Sequence, residues 1–182
     1  MWTIEIVDAA VFHGSLDGFG LRPRDTSGLL GILTAPLLHG GFGHLVSNTI
    51  GFVIFGGLVA LVGRREFWTV TLVGWLSGLG VWVIGAHGVH IGASGVIFAY
   101  FGFLLLRGWY QRRLGSIALS LVLLWTYGSL LWGMIPWFAP PNVSWEGHLC
   151  GFLGGVVVAS WTGKKTPLAI LVDKTQAAAG AA

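Results

Sequence analysis

Charged side chains are scarce in this chain, and their scarcity decides its broad class. Asp, Glu, Lys and Arg together make up 9% of the 182 residues, whereas a soluble domain carries about 25%. The mean hydropathy is +0.79, so apolar side chains dominate the chain. We therefore predict an integral membrane protein that folds as one compact helical bundle.

Cysteine is almost missing as well. Cys150 is the single cysteine, which excludes a disulfide within the chain and carries no information about the compartment. The net charge of +3 and the sequence pI of about 9.4 do not indicate nucleic-acid binding, because the cations fall in short connecting segments. In such segments they set the orientation of the chain in the membrane.

Glycine and tryptophan, by contrast, are abundant. The 30 glycines exceed the ordinary usage of about 7%, and in a membrane bundle small residues let helix backbones approach closely. The ten tryptophans suit the two membrane interfaces, where amphipathic rings gather. The composition therefore predicts closely packed transmembrane helices.

Five apolar stretches are long enough to cross a bilayer as helices. About 20 residues span the hydrocarbon layer of roughly 30 Å at about 1.5 Å per residue, and a lone strand would leave its backbone unpaired in lipid. The predicted fold class is therefore all-α, a polytopic transmembrane helical bundle. The five predicted spans are about Leu45–Val62, Phe67–Ala86, His90–Leu106, Ile117–Ile135 and Trp145–Trp161.

The charged residues between these stretches predict an orientation. Under an alternating topology, eight of the ten Lys and Arg residues fall on one side of the membrane. The positive-inside rule makes that side cytoplasmic. The C-terminus is then cytoplasmic, and the first complete span enters from the outer face.

The segments outside the spans complete the predicted organisation. Residues 1–11 are apolar apart from Glu5 and Asp8, but about ten helical residues reach only some 15 Å, so we expect a partial first helix. Either the true start lies upstream of Met1 or the bundle lacks most of one helix. The predicted membrane domain, residues 1–165, then contains an outer loop at 12–43 and the five spans at 44–162, and it is followed by a flexible cytoplasmic tail at 166–182.

Four polar side chains lie near the outer ends of the spans, where a polar residue is costly and indicates a functional site. Ser94 and His148 each lie near the start of a span, and a serine becomes a nucleophile most often with histidine as its base. His44 and Asn48, four residues apart, share one helix face and can both donate hydrogen bonds to a developing oxyanion. Glu146 lies on a different helix face from His148, so we expect a dyad and not a triad.

Glycines surround both members of this predicted pair. Gly92 and Gly95 remove side chains around Ser94, which would let a substrate backbone and a second helix come close. Gly151 and Gly155 follow His148 at a helical spacing and share its face. The pattern predicts a smooth stripe that packs against the Ser94 helix closely enough for a hydrogen bond.

Each of these elements taken alone has a plainer interpretation. The Gly-Ala-Ser-Gly run at 92–95 is by itself more often a helix-packing patch. One membrane histidine can be a hydrogen-bonded structural residue. His44 and Asn48 could bond to neighbouring helices, at about 1 kcal/mol each. Their joint occurrence at one depth is what favours a functional site.

Three motifs together resemble the rhomboid family of intramembrane serine proteases, in its bacterial form. They are His44-x-x-x-Asn48, Gly92-x-Ser94-Gly95 and His148-x-x-Gly151-x-x-x-Gly155, in the order and spacing of the family, and the resemblance covers about residues 21–161.

The resemblance implies a helical bundle with a water-filled cavity that opens outward and a catalytic Ser94–His148 dyad. The Ser94 backbone N–H, His44 and Asn48 would hold the oxyanion. The substrates would be transmembrane proteins and the location the bacterial plasma membrane. No cofactor and no metal ion are expected, and the oligomeric state is not indicated.

Two positions refine this expectation. Phe98 stands where the family commonly has a tyrosine against the catalytic imidazole. It would keep the stacking surface and lose the hydroxyl group. His39 stands where the family often has a further histidine ahead of the oxyanion residue, and we expect it to have a supporting role.

Other functions remain open from the sequence. A non-catalytic relative would bind transmembrane clients without cutting them, although both Ser94 and His148 are present. A membrane cytochrome could use His44 and His148 as axial haem ligands, but this leaves Ser94 and Asn48 without a role. A transporter or channel is disfavoured, because the sequence has no internal repeat and no membrane-embedded carboxylate pair.

Overall fold

The computed structural model describes residues 1–163, and over this range the chain is helical. An isolated antiparallel bridge joins Leu21 and His90, and the described range contains no strand. The tail predicted at 166–182 lies outside the described residues, as do the last two residues of the predicted membrane domain.

Seven main helices follow one another along the described chain, and a short 3₁₀ helix at Ser15–Phe19 lies between the first two. Helix α1 continues into a π-helical turn at Asp8–Phe12, and α2 is a short apolar helix that mixes 3₁₀ and α turns. The elements are α1 (Trp2–Val7), α2 (Thr26–Leu37), α3 (Phe42–Val62), α4 (Arg64–Ile84), α5 (Ser94–Gln111), α6 (Leu114–Met134) and α7 (Trp145–Gly163).

Helices α3, α4 and α6 are each long and apolar enough to cross a membrane. The chain is thus a membrane protein built from helices, as the composition predicted, while the count of five spans stays a prediction. Helices α5 and α7, with 18 and 19 residues, carry Ser94 and His148 respectively. Neighbouring helices cover α5, so it needs less apolar character to be stable in a membrane.

Most predicted span ends are shifted from the observed helix ends, and two of the differences concern the region around the site. The segment 12–43, predicted as an outer loop, contains α2. The span predicted from His90 begins as a helix only at Ser94, because Gly92 adopts a φ of 110° that cannot continue a helix. This later start makes Ser94 the first residue of its helix.

Helix α5 forms the centre of the bundle. The side chains of Tyr100, Phe101 and Phe103 are fully buried, with 0% of their surface exposed. Phe67 of α4 stacks on Tyr100 with 5.7 Å between ring centroids, and the Tyr100 hydroxyl lies 2.6 Å from Thr71 Oγ1. Aromatic packing and a paired hydroxyl therefore fix α5 against α4.

Helices α5 and α7 cross with their backbones in contact. A Cβ atom placed on Gly151 would overlap the carbonyl of Gly95, and one on Gly155 would overlap the carbonyl of Ala99. Only glycine permits such an approach, which is the usual means by which membrane helices pack closely. The glycine stripe predicted on the His148 helix therefore lies in this crossing.

Replacing Gly155 should destabilise the bundle. We expect Gly155→Ala to cost about 1–3 kcal/mol, because the added methyl group forces two packed helices apart. Thermal unfolding in detergent measures the loss. Gly57→Ala is the matched control, because a Cβ at the exposed Gly57 of α3 meets no atom within 4 Å. Equal stability of both variants would contradict the assigned crossing.

Candidate active site

Ser94 is the first residue of α5. The preceding residue, Ala93, provides no side-chain cap, and the first backbone N–H groups of a helix have no partner within it. Gly92 makes the turn into the helix with its positive φ. The Ser94 side chain is half-buried, and its backbone N–H lies at the positive end of the α5 dipole.

His148 lies in the first turns of α7 and is held on two sides. Its Nδ1 atom is 3.0 Å from the Gly133 carbonyl oxygen, and since a carbonyl can only accept, Nδ1 carries the hydrogen. In the neutral ring Nε2 is then the unprotonated atom, which is the form that a general base needs. The ring also stacks on Phe98 with 4.0 Å between centroids and 9° between planes.

Ser94 and His148 line one open cavity of about 1260 Å³, together with His44 and Asn48. The loops between α4 and α5 and between α6 and α7 form much of its rim. Among residues 1–163 the Ser94 hydroxyl makes no hydrogen bond, so the Ser94–His148 dyad stays a prediction. The serine and the base nevertheless face the same space.

His44 and Asn48 are connected through the first turns of α3. The Asn48 side-chain amide donates to the His44 carbonyl oxygen at 3.0 Å, and His44 Nδ1 accepts from the Gly40 N–H at 3.4 Å. A neutral His44 with an accepting Nδ1 carries its hydrogen on Nε2. A Cβ on Gly92 would lie 2.7 Å from that Nε2 atom, so the donor edge lies beside the turn that leads to Ser94.

His39 lies behind this pair in the loop before α3. Its side chain is 1% exposed, and neither ring nitrogen has a hydrogen-bond partner in the described part of the chain. The rings of His39 and His44 are 5.1 Å apart. Burial, and to a lesser extent the nearby His44, lower the pKa of His39 from 6.5 to about 4, so His39 is neutral at neutral pH.

The predicted glycines take different places. Gly92 borders His44, and Gly95 faces Gly151 below the serine. Gly155 lies one turn further along the helix crossing, against Ala99, away from the cavity. The structure therefore brings Ser94, His148 and the two α3 residues to one cavity, and it places the glycines of α7 in the packing beneath.

The sequence did not reveal the groups that fix the histidine and its helix. The Gly133 carbonyl belongs to the 3₁₀ end of α6, and a backbone acceptor leaves no mark in a sequence. Ser144 caps α7 by accepting from the Gly147 N–H at 3.1 Å. A serine directly before a helix is a recognisable cap signal, so this residue could have been found.

Comparisons with known proteins agree with this architecture. The family model described as "Rhomboid domain" matches residues 26–165. An uncharacterized protein of Mycobacterium tuberculosis (strain ATCC 25618 / H37Rv) is 42% identical over 168 residues, which are 87% of this chain and 69% of the relative. YdcA of Bacillus subtilis (strain 168), named as a candidate rhomboid protease, is 29% identical over 131 residues, which are 70% of this chain and 64% of the relative.

The buried His39 should make the fold sensitive to acid. The pKa of His39 is lower in the folded state, so the unfolded chain binds the proton first as the pH falls. Its contribution to stability is present above about pH 6.5 and is lost towards about pH 4. The free energy of unfolding of the wild type should therefore fall between about pH 6.5 and about pH 4. We expect this fall to be smaller by at least about 1 kcal/mol in His39→Leu, as measured by denaturant unfolding across that range.

His87→Leu is the control, because His87 is exposed. Its stability curve should run parallel to that of the wild type. If the His39→Leu curve also ran parallel to the wild type, the neutral state assigned to the buried ring would be wrong.

Proposed function

The chain belongs to the rhomboid family, and from this premise we propose that it is an intramembrane serine protease that cleaves transmembrane client proteins with a Ser94–His148 dyad. The observation that carries the proposal is the state of His148. Its Nδ1–H is bound by a fixed carbonyl, so a lone pair remains on Nε2 in the cavity that Ser94 also lines.

The reaction follows from these two side chains. His148 Nε2 takes the proton from Ser94 Oγ, while Oγ forms a bond to the carbonyl carbon of a client peptide. The imidazolium then gives the proton to the leaving amine as the peptide bond breaks. Water, deprotonated by His148, attacks the acyl-enzyme and returns Ser94 to its starting state. The Gly133 carbonyl stabilises the transient positive charge on the ring.

The negative charge on the client carbonyl oxygen needs donors that are already in place. Three such donors lie on the cavity wall: the N–H of Ser94 at the start of α5, the Nε2–H of His44 and the second amide hydrogen of Asn48. None of them must break a helix hydrogen bond in order to donate. The arrangement supports an oxyanion site at the N-terminal end of α5.

The surroundings support a reaction in which water meets a membrane-embedded client. The cavity is open, while α3, α4 and α6 present apolar surfaces suited to lipid. With the eight-cation side inside, the cavity opens on the outer face of a bacterial plasma membrane and the C-terminus is cytoplasmic. The mycobacterial relative favours this location.

A second candidate is a non-catalytic rhomboid-like protein that binds transmembrane clients. The observation in its favour is that Ser94 Oγ makes no hydrogen bond within the described residues. Chemical competence of Ser94 distinguishes the two candidates, since a pure client-binding protein has no need of an activated serine.

Loss of either dyad residue should abolish cleavage. We expect Ser94→Ala and His148→Ala to lower proteolysis of a reconstituted transmembrane reporter by at least about 10³-fold, because each removes the nucleophile or its base. Both variants should remain inserted and keep their helical circular dichroism. Ser160→Ala, at the opposite end of α7, is the matched control and should cleave normally. Full cleavage by either dyad variant would refute the mechanism.

Loss of an oxyanion donor should have a smaller effect. We expect His44→Ala and Asn48→Ala each to lower kcat by about 10²–10³-fold where the site is well formed, with KM for the reporter little changed. The donors act on the transition state and not on the bound client, which is why kcat should carry the loss. Unchanged turnover in both variants would reject the assigned oxyanion site.

A further inference from the structure

A closed ring of polar contacts lies at the cavity rim, separate from the dyad. We call it the rim cluster, and it consists of His90, Ser144, Glu146 and the backbone of Ala86. His90 Nδ1 lies 2.8 Å from Ser144 Oγ, and His90 Nε2 lies 2.9 Å from the Ala86 carbonyl oxygen. Glu146 Oε1 accepts from the Ala86 N–H at 2.8 Å, and Glu146 Oε2 lies 3.3 Å from Ser144 Oγ.

The rim cluster joins the two segments that carry the predicted dyad. His90 precedes Ser94 by four residues, and Glu146 precedes His148 by two. Backbone hydrogen bonds of 2.8 and 3.0 Å with Leu21 also tie His90 to the outer segment. The ring therefore bridges the approach to α5 and the start of α7.

The buried carboxylate makes this bridge costly unless it is fully paired. Glu146 is 3% exposed, and an ionised group out of water must have hydrogen-bond partners to be stable. The Ala86 N–H satisfies one of its oxygens. The other oxygen depends on the Ser144 hydroxyl, which has only one hydrogen to give.

The hydrogens available to the rim cluster are one too few for its contacts when His90 is neutral and Glu146 is ionised. The Ala86 carbonyl only accepts, so His90 Nε2 carries a hydrogen. If Ser144 donates to Glu146, then His90 Nδ1 must donate to Ser144, and the imidazole is doubly protonated. If His90 is neutral and Glu146 is ionised, Ser144 can donate either to Nδ1 or to the carboxylate, and the remaining contact joins two acceptors. Every contact is made only when the cluster holds one additional proton, on His90 Nδ1 or on the Glu146 carboxyl group.

We propose that His90, Ser144 and Glu146 are positioning residues whose rim cluster holds His148 in its working place beside Ser94 while the cluster keeps its additional proton, and releases it when that proton is lost. The inference rests on the proposed protease function. If the proposal holds, the reaction rate of Ser94 falls as the pH rises into the alkaline range. This fall is distinct from the rise in rate at lower pH that deprotonation of the general base produces.

The groups around His90 allow this dependence. Glu146 on α7 provides negative charge through Ser144, while Arg22 and Arg24 lie on the outer segment that pairs with His90 through Leu21. Arg24 is engaged with the Val83 and Gly85 carbonyl oxygens at 3.2 and 2.8 Å. His87 is the other titratable residue of the same loop, and it is exposed.

The variant Glu146→Gln separates the effect of the additional proton from the effect of the contacts themselves. A glutamine accepts from Ala86 through its oxygen and donates to Ser144 through its nitrogen, which frees the Ser144 hydroxyl to donate to a neutral His90. Every contact of the rim cluster is then made without the additional proton. Glu146→Ala, by contrast, removes both contacts and leaves the Ala86 N–H without its acceptor.

The test uses the full chain in detergent and the rate of labelling by a fluorescent fluorophosphonate from about pH 5 to about pH 9, a range that includes the interval in which histidine changes charge. We expect wild type and Glu146→Gln to react within about twofold of each other at the acidic end, and the wild type to fall about tenfold below the variant at the alkaline end. Glu146→Ala should be slow throughout. His87→Gln should follow the wild type.

Superimposable pH profiles of wild type and Glu146→Gln would overturn the proposal, as would equal slowing of the Gln and Ala variants at every pH. If the wild type is not labelled at any pH, the proposed protease function fails. The proposal about the rim cluster is then tested separately by thermal unfolding midpoints. A midpoint of Glu146→Gln that rises relative to the wild type with increasing pH supports the proton-dependent ring, and a constant difference overturns it.

Discussion

The backbone contact between α5 and α7 is the constraint on which the rest of the structure depends. Gly95 and Ala99 present bare carbonyls to Gly151 and Gly155, so the helix axes lie closer than any side chain would allow. Ser94 and His148 extend from the outer ends of these same two helices. Because the helices cannot separate without losing this contact, the serine and the histidine share one cavity. Helix α4 packs against both helices of this pair, and α6 packs against α5.

Two protein groups orient the ring of His148. Here the Gly133 carbonyl fixes the tautomer of His148, and Phe98 holds the plane of its ring. Both contacts come from outside α7, so the end of α6 and the first turns of α5 act together on one side chain. The rim cluster adds a third link, between the α4–α5 loop and the start of α7. Rotation of His148 is therefore limited by packing as well as by hydrogen bonding.

The sequence predicted the parts of this arrangement that have side-chain signatures. The helical class and the rhomboid family followed from composition and from three spaced motifs, and both are confirmed. The roles of Ser94, His148, His44 and Asn48 stay predictions. The Gly133 carbonyl, the ring through Ala86 and the helix within residues 12–43 were not predicted, because backbone groups and loop conformations depend on tertiary contacts. The count of five spans also stays a prediction, since length and hydropathy identify α3, α4 and α6 as able to cross a membrane.

The central claim is that the wall of this cavity activates one particular serine. It is tested most directly by treating the folded, detergent-solubilised protein with a fluorophosphonate and locating the adduct by peptide mass spectrometry. The account predicts a single adduct on Ser94 and none when the protein is denatured before treatment, because the activation needs His148 in place. An adduct on another serine, or none on folded protein, would contradict it.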